Sequence, residues 1–219
     1  MSFDKQKAEA SKKNLKNADL QNADLQEADL SEGVLIEACL ENCNLSEADL
    51  CGADISGASL KNARLHRTVL YRCRGKEVDF SNAVLTQANL VEANLSGANF
   101  THANLMESNI EGANLTNACF KDANLSEVNL TGVFLANANL SGADFTNAEC
   151  IAADLGGCDL TGANLHNTYL NHADLSGANL KFALNLTRDQ VETAFINKET
   201  HLPDFISIIW ISKTEYEFE

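Results

Sequence analysis

Proline, tryptophan and tyrosine are scarce in this chain, and it contains no long apolar run. The 219 residues include 1 Pro, 1 Trp and 3 Tyr, although 45% of them are hydrophobic. The shortage of proline argues against linkers and disorder, and without a long apolar run a membrane span is not expected. The start, Met1–Lys5, lacks the apolar core of a secretory signal. We therefore expect one cytoplasmic domain outside the membrane.

Common catalytic motifs are also missing. The sequence has no phosphate-binding G-x-x-x-x-G-K, no H-E-x-x-H and no G-x-S-x-G, and its 5 histidines are scattered. The many carboxylates are expected to solvate an outer surface. We therefore expect a non-catalytic protein that binds neither a metal nor another cofactor.

The chain is dominated by a five-residue period. From Leu15 to Leu180 every fifth residue is Leu, Ile or Phe, except Gly75 and Cys150, and a small residue, usually Ala, stands two positions earlier. This period fits neither a helix, which repeats its buried face every 3.6 residues or so, nor a strand, which repeats about every 2.0. The chain must therefore turn a corner every five residues. Four such sides close a square coil of twenty residues, with the small and large residues inside.

The repeated unit A-(D/N)-L-x-x resembles that of the pentapeptide-repeat family. Examples are Ala18–Asn22, Ala23–Glu27 and Ala98–His102, and the resemblance covers residues 13–182. It implies an all-β solenoid, the right-handed quadrilateral β-helix of that family. With coils about 4.8 Å apart, the rod has roughly 8.5 coils and a length of about 40 Å.

Residues twenty apart are expected to become neighbours in such a rod. Phe80, Phe100 and Phe120 then stack in one interior column. The register also assigns directions to the seven cysteines, which we expect to be reduced thiols because none is placed to pair with another. The inward ones are Cys43, Cys73, Cys150 and Cys158, and the outward ones are Cys39, Cys51 and Cys119.

Both open ends of a solenoid need covers. We divide the chain into an N-terminal cap (1–12), the repeat β-helix (13–182) and a C-terminal helix with a β-prone tail (183–219). The lysines of the N-terminal cap are expected near an acidic first coil. The capping-box spacing of Thr187–Gln190 predicts a helix to about Asn197, with three residues packed on the last coil: Val191, Ala194 and Phe195.

The C-terminal segment leaves its own role open. Residues 186–203 resemble the tails of cyanobacterial members of the family, which suggests such a source. The uncharged stretch 205–211 has strong β character and would be sticky if exposed. It either folds back as a cover, pairs with a second copy to form a homodimer, or is disordered.

Charge is unevenly distributed along the rod. The net charge of the chain is −15. Residues 17–60 carry ten acids and no base, whereas residues 61–76 carry six bases and no acid. We call residues 61–76 the basic belt. It is either a docking site or a means of charge compensation between coils. Compensation predicts four pairs between neighbouring coils: Lys61–Glu41, Arg67–Glu47, Arg72–Glu92 and Arg74–Asp54.

The belt also lacks one large inward side chain, at Gly75. Either the backbone bulges there or a neighbour fills the gap, since an empty hole of leucine size costs a few kcal/mol. As a hypothesis, Gly75 marks a pocket for a partner. The belt's candidate binding residues are Arg64, Arg67, Arg72, Arg74 and Gly75.

Two non-enzymatic functions remain. In the first, the rod is a protein–protein interaction scaffold for an unidentified partner, anchored by Phe134 and Tyr169, which stand where Asp or Asn usually occurs; the alternative is that both only cover neighbouring coils. In the second, the rod imitates DNA and occupies DNA gyrase or another DNA-binding protein, as the resemblance implies for some family members. Residues 13–182 hold 22 acids and 10 bases, which gives a net charge of −12. This is about half the charge of a DNA duplex of the same length. We expect the scaffold, without direct nucleic-acid binding.

Overall fold

The structure is a computed structural model that describes residues 5–212 and 215–219. Its regular elements are helix α1 (Lys5–Ala10), a 3-10 helix (Lys12–Asn14), helix α2 (Arg188–Thr193), strand β1 (Ile208–Trp210) and strand β2 (Tyr216–Phe218). Between the 3-10 helix and α2 the chain forms a stack of coils joined by isolated β-bridges. The first four residues of the predicted N-terminal cap lie outside the described residues.

The coils are held in register by backbone hydrogen bonds between residues about twenty apart. Asp19 bridges to Cys39, and Cys39 bridges in parallel to Ser59. The Leu20 N–H donates to the Cys39 carbonyl (2.8 Å), and the Cys39 N–H donates back to the Ala18 carbonyl (2.9 Å). Because the chain turns every five residues, each coil has four sides. We call the bridging residue at the middle of each side the wall centre.

Each corner is a tight turn with a local sequence cause. The Ala23 N–H donates to the Leu20 carbonyl (3.0 Å), and the corner residue Asn22 has φ 60°. That left-handed conformation favours Asn and Gly. At the wall centre, a carboxylate or amide oxygen accepts from the corner backbone, as when Asp49 Oδ1 accepts from the Cys51 N–H (2.8 Å). The first requirement explains the Asn and Gly residues at many corners, and the second explains why Asp and Asn recur at the wall centres.

The interior is filled by the small and large residues of the repeat, as predicted. The inward Ala and Leu side chains are buried along the whole stack. Phe80 and Phe100 stack with ring centroids 4.9 Å apart, and Phe100 and Phe120 stack at 4.6 Å. The predicted interior column is therefore confirmed, and with it the twenty-residue register.

The N-terminal end is closed by α1 and the 3-10 helix. Ala8 is fully buried, and the Asp29 N–H at the open edge of the first coil donates to Glu9 Oε1 (3.0 Å). Lys12 Nζ contacts Asp29 Oδ1 at 2.7 Å, and Lys13 Nζ contacts Glu32 Oε2 at 3.1 Å. The expected attraction between the lysines of the cap and the acidic first coil is thus present.

At the C-terminal end the β-ladder continues past the predicted boundary at residue 182. Asn164 bridges to Leu184, and after α2 the chain rejoins the stack, where Asp174 bridges to Phe195. The predicted capping box is present, since Thr187 and Gln190 exchange hydrogen bonds, but α2 ends at Thr193 rather than near Asn197. The helix is short because the chain returns to extended backbone in order to form the ladder.

The prediction that Phe195 packs on the last coil is wrong. Its side chain is 59% exposed because the residue occupies a wall centre, while the next residue, Ile196, is buried. Val191 and Ala194 are buried as predicted. After the six residues of α2 the backbone becomes extended, and this transition decides which of the following side chains face inward. The capping-box spacing marks only the start of the helix, so it does not predict where the transition falls.

The β-prone tail covers the end of the core. Strands β1 and β2 pair antiparallel, with Ile209 opposite Glu217, and the inner-face residues Ile208, Trp210, Tyr216 and Phe218 pack against the buried cluster. The Tyr216 hydroxyl donates to the Val191 carbonyl (3.2 Å). Phe205, Ile209 and Ile211 remain exposed. Intramolecular cover is therefore observed, and contact with a second copy stays a prediction.

Within the described residues, none of the helices has the length and apolar character required to cross a bilayer.

The register sorts the seven cysteines as predicted. Four are buried, three are half-buried, and all are free thiols. Burial raises the pKa of the Cys43 thiol to about 11 and that of the Cys150 thiol to about 12. Because the thiolate is the reactive form, the inward cysteines should be inert at neutral pH.

This sorting predicts the reactivity of the native protein toward a thiol reagent such as Ellman's reagent. At neutral pH only Cys39, Cys51 and Cys119 should react, and the four inward thiols should react after unfolding in urea. Mass spectrometry of the labelled peptides measures both sets. Rapid labelling of Cys150 in the native state would contradict the register.

The N-terminal contact predicts a measurable pKa. Mainly through the hydrogen bond from Lys12, with a second from Ser31, the pKa of Asp29 is lowered from 3.8 to about 2. A depressed carboxyl pKa stabilises the fold above the unfolded-state value, and this contribution is lost as the pH falls through about 2. Lys12→Met should raise the Asp29 pKa toward 3.8 in an NMR titration. Lys16→Met is the control and should leave it low.

Candidate functional site

Three exposed apolar side chains lie together on two neighbouring walls. Phe134 is 53% exposed, Ile151 37% and Tyr169 55%. Phe134 and Tyr169 are wall centres of adjacent walls, and Ile151 stands on the corner between them, about one coil below Tyr169. We call these three residues the apolar corner. The structure therefore places the two predicted anchors on adjacent walls, with Ile151 on the corner between them.

At Phe134 and Tyr169 the wall centre has no side-chain acceptor for the corner N–H. One coil below Phe134, Asn114 Oδ1 accepts from the backbone N–H of Thr116 (3.1 Å). Phe134 and Tyr169 cannot accept such a bond, and within the described residues the corresponding N–H groups of Ala136 and Asn171 have no acceptor. These aromatic residues thus replace a stabilising interaction with an exposed ring.

The surroundings of the apolar corner are small or acidic. Gly132 and Ala152 occupy successive corner positions with positive φ, so neither position places a long side chain beside the rings. Tyr169 bridges to Glu149, and Phe134 bridges to Asp154. The exposed rings are therefore bordered by small residues at the corner and by carboxylates on the walls.

A groove opens beside Tyr169, where the last coil meets α2. Its volume is about 620 Å³, and its lining includes Asn147, His166, Asn171, Asp189 and Thr193. Gln190 fixes α2 in this position, since its Nε2 donates to the carbonyls of Leu165 (2.9 Å) and Thr168 (2.8 Å). The groove was not foreseen from the sequence because it forms where the chain departs from the five-residue period.

In the basic belt, two of the four predicted ion pairs form. Arg72 Nε contacts Glu92 Oε2 at 2.6 Å, which raises the pKa of Arg72, and Arg74 Nε contacts Asp54 Oδ2 at 3.2 Å. Burial opposes the ionisation of Asp54, but hydrogen bonds from Ser56 and Arg74 keep its pKa below the ordinary value.

The other two predicted ion pairs do not form, because each basic side chain contacts a different partner. Lys61 Nζ contacts Asp79 Oδ2 at 3.3 Å rather than Glu41. Arg67 Nε donates to Gln87 Oε1 at 2.8 Å and makes no ion pair with Glu47 among the described contacts. Long flexible side chains can reach either neighbouring coil, so a spacing of twenty residues does not decide between the coil above and the coil below.

The pocket proposed at Gly75 is not open. A Cβ built there would lie 2.7 Å from Leu95 Cδ2, 3.1 Å from Ile55 Cγ1 and 3.2 Å from Val78 Cγ1. The backbone does not bulge, since the Gly75 N–H still donates to the Asn94 carbonyl (2.8 Å). Of the two explanations, a neighbouring side chain fills the gap. Gly75 is therefore a packing residue in this structure and not the floor of a partner pocket.

The described residues contain no cluster of three or more His, Cys, Asp or Glu side chains that could hold a metal ion. His102 Nδ1 lies 4.0 Å from Asp122 Oδ2, and His66 Nδ1 lies 2.8 Å from Thr86 Oγ1. Each is a contact between neighbouring coils, and neither forms part of a larger group.

A twenty-residue square coil with Asp or Asn at the wall centres defines a class of protein. The family model described as pentapeptide repeats (8 copies) matches most of the chain, at residues 6–35, 14–47, 34–67, 83–122, 123–162 and 153–187. The chain belongs to the pentapeptide-repeat family, whose members fold as right-handed quadrilateral β-helices. Proteins of this family are generally structural or interaction proteins.

Similar solved structures include cyanobacterial proteins. HetL, a pentapeptide repeat protein involved in heterocyst differentiation regulation from Nostoc sp. strain PCC 7120, is 33% identical over 86% of this chain and 84% of its own, with a TM-score of 0.52. Rfr23 from Cyanothece 51142 is 27% identical over 52% of this chain and 90% of its own, with a TM-score of 0.48.

QnrB1, a plasmid-mediated fluoroquinolone resistance protein, is 18% identical over 89% of this chain and 86% of its own, with a TM-score of 0.54. The comparison with curated proteins found no match.

The packing around Gly75 generates a stability prediction. Gly75→Leu should lower the free energy of unfolding by about 1–3 kcal/mol, because the added side chain overpacks the space held by Leu95 and Ile55. Urea denaturation measures the change. Gly132→Asn is the control: a Cβ at Gly132 meets nothing within 4 Å, and Asn tolerates its φ of 61°. A Gly75→Leu variant as stable as wild type would contradict the close packing around Gly75.

Proposed function

We propose that this protein is a non-catalytic scaffold that binds another protein through the apolar corner. The observation that carries the proposal is the replacement of hydrogen-bonding wall centres by exposed aromatic rings at Phe134 and Tyr169. Aromatic side chains on a rigid backbone lose little conformational entropy on binding, and they dominate the energetics of many interfaces. The ladder of inter-coil hydrogen bonds provides that rigidity.

The family supports a binding role in general terms. HetL is involved in heterocyst differentiation regulation. We extend to this chain only a regulatory role, which we propose it performs by binding another protein. We further propose a cyanobacterial source, a cytoplasmic location, and a function that needs neither cofactor nor membrane nor direct nucleic-acid binding. A homodimer through the exposed residues of the C-terminal tail, Phe205, Ile209 and Ile211, is a separate proposal, which a measurement of the mass in solution tests.

The alternative is an acidic rod that imitates DNA and occupies DNA gyrase or another DNA-binding protein. The net charge of −15 favours it, but the basic belt interrupts the acidic surface. A rod of roughly 8.5 coils would carry about half the charge of a duplex of equal length. QnrB1 is a plasmid-mediated fluoroquinolone resistance protein, and at 18% identity the likeness to it extends to the fold alone.

The scaffold proposal predicts the effect of restoring the usual wall centres. Phe134→Asn with Tyr169→Asn should weaken binding of the partner about 30-fold or more, since an interface anchor contributes about 2 kcal/mol. The partner is first isolated by affinity purification from the native cell, and its affinity is then measured by calorimetry. The variant should unfold at no lower temperature, because each Asn can accept the free corner N–H.

Val34→Asn is the matched control, since Val34 lies on the same wall as Phe134 but five coils below it. It should leave the affinity unchanged. A partner indifferent to the double variant would overturn the proposal. Inhibition of gyrase supercoiling by micromolar protein, unaltered in the double variant, would establish the DNA-imitating alternative instead.

A further inference from the structure

The charges of the basic belt fall into two groups that the sequence does not distinguish. One group is neutralised in the structure, because each member lies within 4 Å of a carboxylate oxygen: Lys61, Arg72, Arg74 and Lys76. The other group consists of Arg64 and Arg67, which form no ion pair among the described residues. Charge compensation therefore explains the first group and leaves the second without an explanation.

The Arg67 side chain is oriented by a hydrogen bond to an uncharged side chain. Its Nε donates to Gln87 Oε1 (2.8 Å), and Gln87 Nε2 donates to Glu107 Oε2 (2.7 Å). This three-residue ladder runs up one corner of the rod, with each residue one coil above the last. Because Gln87 takes only the Nε hydrogen, both terminal nitrogens of the guanidinium remain available for a carboxylate, and the positive charge is not cancelled.

Arg64 occupies the wall centre just before that corner. Its neighbours in the ladder are Asn44 below and Val84 above, neither of which is charged. Val84 is 39% exposed and adds an apolar contact beside the guanidinium. Like Phe134, Arg64 stands where Asp or Asn would accept a corner hydrogen bond, and the backbone N–H of His66 has no acceptor within the described residues.

We propose that Arg64 and Arg67, together with Val84, form a second docking surface that binds an acidic segment of another protein. Carboxylates are bound strongly by guanidinium groups because two parallel N–H···O bonds can form. A short acidic segment fits better than a nucleic acid, since a long polyanion would be repelled by the acidic coils on either side of the belt. The surface lies on the wall opposite Phe134 and about 17 Å away along the rod axis, so it goes beyond the apolar corner.

Fluorescence anisotropy with a short labelled peptide tests the proposal. In the probe, Asp and Glu alternate with Leu, and a matched peptide has Asn and Gln in their place. The acidic peptide should bind more tightly, and Arg64→Asn with Arg67→Asn should weaken it about tenfold or more. This variant should fold, since Asn already occupies the same wall and corner columns at Asn104 and Asn147.

The control replaces the two arginines of the neutralised group. Arg72→Asn with Arg74→Asn removes the same formal charge and should change the affinity by no more than about twofold, because the charges of those guanidinium groups are already paired with Glu92 and Asp54. Arg67→Lys should also weaken binding, since lysine keeps the charge but loses the hydrogen bond to Gln87 and the two-pronged contact. Gln87→Met, which leaves the arginine in place but unanchored, should have a smaller effect in the same direction.

Three results would overturn the proposal. Equal losses in the two double variants would mean that the peptide responds to overall charge. No preference for the acidic peptide over its amide counterpart would remove the carboxylate from the interaction. Tighter binding of a single-stranded oligonucleotide, with the same dependence on Arg64 and Arg67, would assign the surface to nucleic acid. None of these outcomes bears on the apolar corner, whose residues are unchanged in every variant.

Discussion

The backbone hydrogen bonds between successive coils are the constraint on which the structure depends. Each side of a coil donates to the coil above and the coil below, as the Leu20 and Cys39 amides do. Because these bonds fix the offset at twenty residues, a residue within the stack lies between the residue twenty positions earlier, on the coil below, and the residue twenty positions later, on the coil above. The aligned phenylalanines, the buried cysteines and the columns of charge on the outer walls all follow from that single offset.

The corners and wall centres show where sequence serves the fold and where it does not. A corner must adopt positive φ, and a wall centre is most useful when its oxygen accepts the corner N–H. Asp and Asn satisfy the second requirement throughout most of the rod. Phe134, Tyr169 and Arg64 do not, so they forgo a local stabilising bond. At these three positions the departure coincides with an exposed side chain, and the two proposed docking surfaces are built on them.

The two ends differ in how they are closed. At the N-terminal end α1 lays Ala8 over the core, and Lys12 and Lys13 of the following 3-10 helix pair with carboxylates of the first coil. At the C-terminal end the chain leaves the ladder for α2, returns at Phe195, and then folds a hairpin over the last coil. The second arrangement creates the groove beside Tyr169. The C-terminal end therefore has a more varied surface than the uniform walls.

Much of the rod could be predicted because each five-residue repeat of the sequence forms one side of a coil, so the sequence period and the structural period coincide. The column of Phe80, Phe100 and Phe120 was predictable, and so was the burial of Cys150, since a residue's direction depends only on its place among five. Arg67 was different: its position was predictable, but its bond to Gln87 rather than Glu47 was not. A long side chain chooses among several partners within reach, and all its neighbours take part in that choice.

By itself, then, the sequence determined the coil, its register and the direction of the side chains along the repeat, because these are set by hydrophobic periodicity and corner chemistry within a few residues. Only the tertiary structure decided which arginines stay unneutralised, how Leu95 and Ile55 occupy the space at Gly75, and where α2 returns the chain to the ladder. Those outcomes depend on rotamers and packing between segments that are far apart in the chain. No local pattern specifies them.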